Sequence, residues 1–121
     1  MPLKIVQSDR GGRRVLAVEG DLDLVTAPML TGAGTALVDS GEKDVVVDAS
    51  ALDFCDSSGL TAFIMIGNRV RPHGRLAIAS PQPIVRRVLE VSGLVEAFVI
   101  ADSVADAIDI LDAERPSLPE E

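Results

Sequence analysis

The apolar residues near the start of the chain form two short segments with turn residues between them. Residues 3–6 and 15–18 are mostly aliphatic, and residues 9–12 read Asp-Arg-Gly-Gly. Glycine accepts the positive φ angles of a tight turn at no steric cost. This pattern predicts a β-hairpin whose second strand ends at Gly20.

After the hairpin, helix-like and strand-like patterns alternate. Thr26 is a suitable N-cap for a helix that tolerates Pro28 in its first turn. One face of this helix carries the apolar or small residues Ala27, Leu30, Gly34, Leu37 and Val38. The glycine among them suggests close packing against a sheet. Residues 45–47 are three valines, which is typical of a strand that is buried on both faces.

Three further helices and two strands follow by the same reasoning. The second helix starts at residues 56–58, the third at 80–81 and the fourth at Ser103, which forms a capping box with Asp106. The residues expected to face the core are Leu60, Phe63, Ile64 and Gly67 in the second helix, Ile84, Val88 and Val91 in the third, and Val104, Ala107, Ile108 and Leu111 in the fourth. Gly93 ends the third helix in the left-handed conformation, and Leu94 folds back onto it.

The order of elements predicts an α/β fold in a single domain. A hairpin followed by alternating strands and helices implies a mixed sheet that is mostly parallel, with helices packed on it. The domain is expected to span residues 1–113. Residues 114–121 are rich in proline and glutamate and are expected to be disordered.

Composition narrows the classes of partner. The 121-residue chain has a formal net charge of -8, which argues against binding to nucleic acid or to an anionic membrane surface. The first residues lack the apolar core of a signal peptide, and no apolar run is long enough to span a bilayer. Cys55 and His73 are the only residues of their types, so no disulfide, histidine metal cluster or Ser-His triad is expected. We therefore expect a cytoplasmic protein with neither cofactor nor metal.

Residues 56–59, Asp-Ser-Ser-Gly, place two hydroxyls and a carboxylate at the start of the second helix. Residues of these types are ordinary helix caps, and that interpretation accounts for them without any function. A helix N-terminus also has unpaired N–H groups and the positive end of the helix dipole, and both favour a phosphate. The local sequence leaves both interpretations open.

Three segments, in this order, resemble the sequence signature of STAS domains of the anti-sigma factor antagonist family. They are residues 20–27 (GDLDLVTA), residues 54–60 (FCDSSGL), and a third block that comprises residues 80–81, 88–89 and 92–94 (SP, VL and SGL). The resemblance extends from about residue 3 to residue 111. It departs at Cys55, where the family has a larger aliphatic residue; we interpret Cys55 as a small buried hydrophobic residue.

The resemblance implies a regulator that is not an enzyme. It would bind an anti-sigma factor that is also a serine kinase, release a sigma factor, and lose its partner when the kinase phosphorylates Ser57. A serine phosphatase would reverse the switch. The residues that the resemblance assigns to partner binding are Asp21, Asp23, Thr26, Asp56, Ser58 and Gly59. Among these, Asp56 would shape the helix start and the kinase contact, Ser58 would be the cap, and Gly59 would let the partner's backbone approach.

Two other functions remain open at this stage. The resemblance also supports a STAS module that serves as a scaffold in a stressosome-like or other signalling complex, although the intact Asp-Ser-Ser-Gly segment and the compact single domain favour the antagonist. An enzyme with Ser57 as nucleophile is disfavoured, because the sequence offers only carboxylates as bases and has no nucleophile-elbow motif. No heptad pattern or long exposed apolar edge predicts an obligate dimer, so a monomer or weak dimer is expected.

Overall fold

A five-stranded sheet forms the centre of the protein, and helices cover both of its faces. The computed structural model describes residues 2–114. The strands are β1 (Lys4–Arg10), β2 (Arg13–Leu22), β3 (Val45–Cys55), β4 (Leu76–Ala79) and β5 (Val99–Ala101). The helices are α1 (Ala27–Asp39), α2 (Ser57–Val70), α3 (Pro83–Val91) and α4 (Val104–Glu114). The α/β architecture predicted from the sequence is confirmed.

The predicted hairpin is present, with longer strands than expected. Strands β1 and β2 pair antiparallel, and Arg10 lies opposite Arg13 across a two-residue loop. The loop residues Gly11 and Gly12 have φ angles of +62° and +82°. Positive φ at both central positions matches the twist of the flanking strands, so the double glycine sets the register of the hairpin.

The strands lie side by side in their sequence order, and every pair after the hairpin is parallel. Right-handed crossovers between successive neighbours place their connecting helices on one face of the sheet. Helices α1, α2 and α3 accordingly share the larger core with Leu16, Val47 and Ile78. Helix α4 covers the other face, where its Ala107 and Leu111 pack with Val46.

Strand β3 continues to Cys55, well past the valine run from which it was predicted. Its pairing with β2 has register shifts between Ala17 and Glu19 and again between Gly20 and Asp21. Beyond these irregularities Leu22 pairs with Cys55. The extension therefore brings the ends of β2 and β3, and the two loops that follow them, next to each other.

The predicted core face of α3 is wrong. Val85 and Leu89 are fully buried, whereas Ile84 and Val91 are 55% and 75% exposed and Val88 is half-buried. The helix has apolar residues at helical spacing on two faces, so periodicity alone did not identify the buried one. Packing against β3 buries Val85 and Leu89 and leaves Ile84 and Val91 on the outer side of the helix.

Two other packing predictions need correction around α2. Ile64 is exposed, and Ile66 instead lies fully buried with Phe63 and Gly67. Gly34 packs against α2 rather than against the sheet, because a Cβ at this position would lie 2.5 Å from Ile66 Cδ1. The glycine thus sets the close approach of α1 to α2.

The C-terminal end of α3 follows the sequence prediction. Gly93 adopts the left-handed conformation with φ of +79°. Leu94 packs, partly buried, against the larger core, as expected for the hydrophobic contact after such a cap. A short 3₁₀ turn (Leu94–Glu96) then leads into β5.

Helix α4 starts at the predicted cap and runs slightly further than expected. Ser103 Oγ accepts a hydrogen bond from the Asp106 N–H at 3.0 Å. Glu114 belongs to this helix rather than to the tail, and its carboxylate accepts a hydrogen bond of 2.8 Å from Arg75. The rest of the expected tail, residues 115–121, lies outside the described residues. None of the helices in residues 2–114 combines the length and apolarity needed to cross a membrane.

Candidate functional site

The predicted site lies where β2 and β3 end. The Asp56 N–H donates a hydrogen bond of 3.2 Å to the Leu22 carbonyl, and this joins the start of α2 to the start of the β2–α1 loop. The carboxyl ends of neighbouring parallel strands meet at one edge of a sheet, which is where α/β proteins place their binding residues. We call the two adjoining segments, residues 21–26 and 56–59, the strand-end edge.

Asp56 is the cap of α2. Its Oδ1 accepts hydrogen bonds from the Ser58 N–H at 2.8 Å and the Gly59 N–H at 3.1 Å. The prediction that Ser58 is the cap is therefore wrong. The Asp56 backbone is extended, and a carboxylate there satisfies two unpaired N–H groups while meeting the positive end of the helix dipole.

Ser57 is the first residue of α2, and it is exposed. Its carbonyl accepts a hydrogen bond from the Thr61 hydroxyl at 3.0 Å. Within residues 2–114 its own hydroxyl has no hydrogen-bond partner. The cap next to it has already fixed the helix start, so the Ser57 hydroxyl is available to an incoming reagent.

Asp23 and Thr26 hold the β2–α1 loop in one conformation. Asp23 Oδ1 accepts from the Val25 and Thr26 N–H groups at 3.0 and 3.1 Å. Thr26 Oγ1 donates to the Asp21 carbonyl at 2.8 Å and accepts from the Asp23 N–H at 2.9 Å. Thr26 thus sits at the N-cap position of α1 without the side-chain cap that was predicted, because its hydroxyl is used inside the loop.

The same hydrogen bonds affect the ionisation of Asp23. The N–H of Thr26 contributes most, and together with the Val25 N–H it lowers the pKa of the Asp23 carboxyl below its ordinary value. These donors favour the ionised form of the acceptor. The loop therefore has a stable negative charge at neutral pH.

Gly59 and Cys55 pack together beneath the helix start. A Cβ on Gly59 would lie 2.7 Å from Cys55 Sγ and 2.8 Å from Leu22 Cγ, so the glycine lets α2 sit close to the strand ends. Cys55 is 4% exposed, which confirms that it is a small buried hydrophobic residue. Burial, and secondarily the charge of Asp56, raises the pKa of its thiol to about 12. The role of Gly59 toward a partner's backbone stays a prediction.

Exposed apolar side chains lie within and beside the strand-end edge, and sequence reasoning missed them. Leu24 and Val25 are 75% and 83% exposed at the tip of the loop. A groove of about 510 Å³ lies between the first turns of α1 and α2. Its lining includes Leu24, Pro28 and Met65 beside Ser58. Two adjacent aliphatic residues in a loop, outside any strand or helix pattern, were the signal in the sequence that this surface is apolar.

A second groove, between α2 and α3, has a volume of about 420 Å³. Its walls include Ser57 and Leu60 from α2 and Arg87, Val88 and Val91 from α3. Ser57 thus borders this second groove, and its neighbour Ser58 borders the first. Within residues 2–114 no three His, Cys, Asp or Glu side chains are grouped as ligands for a metal ion.

The family model described as the Mlab STAS domain matches residues 5–101. The chain belongs to the STAS-domain family. The STAS fold accounts for the hairpin, the parallel strands and the helix that starts at Ser57. Both segments of the strand-end edge lie inside the matched region.

The similar proteins are anti-sigma factor antagonists, and the chain belongs to this group of STAS domains. BtrV, a candidate anti-sigma factor antagonist of Bordetella bronchiseptica, is 30% identical over 102 residues, which is 84% of this chain and 88% of BtrV. The anti-sigma-F factor antagonist RsfB of Mycobacterium tuberculosis is 26% identical and covers 88% of this chain and 87% of its own length. The crystal structure of an anti-sigma factor antagonist from Mycobacterium paratuberculosis superimposes with a TM-score of 0.84 at 27% identity, covering 91% of this STAS chain and 94% of that one.

Proposed function

We propose that this STAS protein binds an anti-sigma factor through the strand-end edge and that phosphorylation of Ser57 ends the complex. The partner would be an anti-sigma factor with serine kinase activity, and a serine phosphatase would restore binding. The proposal makes the chain a binding regulator rather than an enzyme. The observation that carries it is the exposed Ser57 hydroxyl, free of hydrogen bonds within residues 2–114, on a helix start that Asp56 has already capped.

The binding surface follows from the rigidity and composition of this edge. The partner-binding residues that we propose are those that the family resemblance assigns, namely Asp21, Asp23, Thr26, Asp56, Ser58 and Gly59. The internal hydrogen bonds of the loop fix its backbone before any partner arrives, so little conformational entropy is lost on binding. Exposed Leu24 and Val25 add apolar area to this edge, and Leu24 lines the groove between α1 and α2 together with Ser58.

A phosphate on Ser57 is compatible with the fold but not with a closely packed partner. It adds about -1.5 to -2 charges, and the N-terminus of α2 favours that charge. A partner carboxylate about 4 Å away would be repelled by about 4 kcal/mol per unit charge at an effective dielectric constant near 20. That energy corresponds to roughly a thousandfold loss of affinity.

The direct test mixes the protein with anti-sigma kinases of the same genome and ATP and measures its mass. We expect one added phosphate in the wild type and in Ser58→Ala, and none in Ser57→Ala. Ser58→Ala is the matched control, because it removes the adjacent hydroxyl and keeps Ser57. Absence of phosphate with every such kinase would contradict the proposal and favour a STAS scaffold module instead.

Substitution of Ser57 by aspartate tests the binding part separately. Ser57→Asp should keep the melting temperature within about 1 °C of the wild type, because the helix N-terminus accepts the charge. It should weaken binding of the anti-sigma factor at least tenfold in isothermal calorimetry, whereas Ser57→Ala should not. Equal affinities of the two variants would mean that charge at Ser57 does not control the complex.

A further inference from the structure

The groove between α2 and α3 has a cation on the wall opposite Ser57. Arg87 lines this groove together with Ser57 and Ser92. Its side chain has no hydrogen bond or ion pair within residues 2–114. The preceding residue differs, because Arg86 donates to Asp102 at 3.3 Å. Arg86 is therefore paired within the fold, whereas the Arg87 guanidinium is unpaired within residues 2–114 and lines the groove.

The surroundings of Ser57 are otherwise acidic. Asp21, Asp23 and Asp56 belong to the strand-end edge, and Asp53 accepts a hydrogen bond from Gln82 near the end of β3. A dianion added at Ser57 would be repelled by these carboxylates, each screened by its distance and by salt. Arg87 is the cation in this groove, and its guanidinium suits bidentate binding of phosphate oxygens.

We propose that Arg87 binds the phosphate of phosphorylated Ser57 and holds it in the groove between α2 and α3. The inference rests on the proposed function, since it concerns the phosphorylated state of the same serine. The phosphorylated form, which does not bind the anti-sigma factor, would then have its phosphate held in a defined position. The phosphate would join α2 to α3 and occupy the groove that Ser57, Leu60 and Val88 leave open in the unmodified protein.

The test uses protein in which phosphoserine is incorporated at position 57 during translation, so that no kinase is needed. The second pKa of the phosphate is measured by ³¹P NMR in the wild-type background, Arg87→Gln, Arg87→Lys and Arg86→Gln. A nearby cation favours the dianion, so removal of Arg87 should raise this pKa by about half a unit. Arg87→Lys should keep most of the effect, and Arg86→Gln should change the pKa little.

Two outcomes would overturn the inference. One is an unchanged phosphate pKa in Arg87→Gln, and the other is an equal rise in Arg86→Gln, which would indicate a general loss of positive charge. Circular dichroism melting of the unphosphorylated variants checks that α3 is intact. If kinases leave Ser57 unmodified while this pKa shift is observed, the proposed function fails and the phosphate-binding groove stands.

Discussion

Removal of the Asp56 carboxylate separates the capping role of this residue from its negative charge. Asp56→Ala deletes the acceptor of the Ser58 and Gly59 N–H groups, whereas Asp56→Asn keeps an oxygen in the same place without the charge. Asparagine is about as good an N-cap as aspartate. The pair of variants therefore changes one property at a time.

The expected magnitude follows from the two hydrogen bonds at 2.8 and 3.1 Å. Loss of an N-cap acceptor costs about 1 kcal/mol within a range of roughly 0.5–2. For a domain of this size, that lowers the melting temperature by about 4 °C. Asp56→Asn should lose less than half of that amount, and Ser58→Ala should be nearly neutral because the Ser58 side chain caps nothing.

Urea unfolding followed by circular dichroism at 222 nm measures the free energy of unfolding for the wild type and all three variants. The slope against urea concentration should stay constant, since the folded and unfolded surfaces barely change. A loss in Ser58→Ala as large as that in Asp56→Ala would show that the helix start is held differently. A loss below about 0.3 kcal/mol in Asp56→Ala, outside the usual range for a cap, would have the same meaning.

Three other predictions test the packing and ionisation around the site. Gly34→Ala should destabilise the fold by about 1–2 kcal/mol in urea unfolding, because the new methyl group would overlap the buried Ile66 side chain. The Cys55 thiol, with its pKa raised from 9.0 to about 12, should react with a disulfide reagent at pH 8 more than about tenfold more slowly in the native protein than in urea, because the lower thiolate fraction outweighs the greater nucleophilicity of the thiolate. Asp23 has its pKa lowered from 3.8 in the folded state, chiefly by the Thr26 N–H, so its ionised form stabilises the fold above pH 3.8. That contribution disappears as the pH falls through the lowered pKa, so the stability difference between wild type and Asp23→Asn should shrink on acidification and stay constant from pH 5 to 7.

Most of the fold could be predicted because the chain alternates cleanly between strand and helix patterns. The double glycine at 11–12 and the left-handed Gly93 marked the hairpin and the end of α3 through backbone angles that other residues rarely adopt. The direction in which α3 faces could not be read the same way. Both of its apolar stripes have helical spacing, so the pattern fits either face. Which face is buried depends on contacts with strands far away in the sequence.

The candidate site was predicted in position but not in its internal hydrogen bonds. The sequence placed polar side chains at a helix start, but any of Asp56, Ser57 and Ser58 has an oxygen suited to capping. The choice depends on the extended backbone at Asp56, which follows from the extension of β3 to Cys55. The residues of that extension are mostly polar or small, and they lack the apolar pattern that predicts a strand.

The hydrogen bonds at this helix start explain why phosphorylation there can change partner binding without destabilising the fold. Asp56 uses its carboxylate for the cap, the Ser58 N–H is bound to it, and Gly59 is pressed against Cys55 and Leu22. The fold uses the Asp56 carboxylate and the missing side chain of Gly59, so a substitution of either costs stability. The hydroxyls of Ser57 and Ser58 make no hydrogen bond within residues 2–114, and of these two serines Ser57 is exposed whereas Ser58 is half-buried. A phosphate on Ser57 therefore adds charge at the surface without removing a contact from the interior. Its electrostatic energy changes the affinity for the partner and not the stability of the fold.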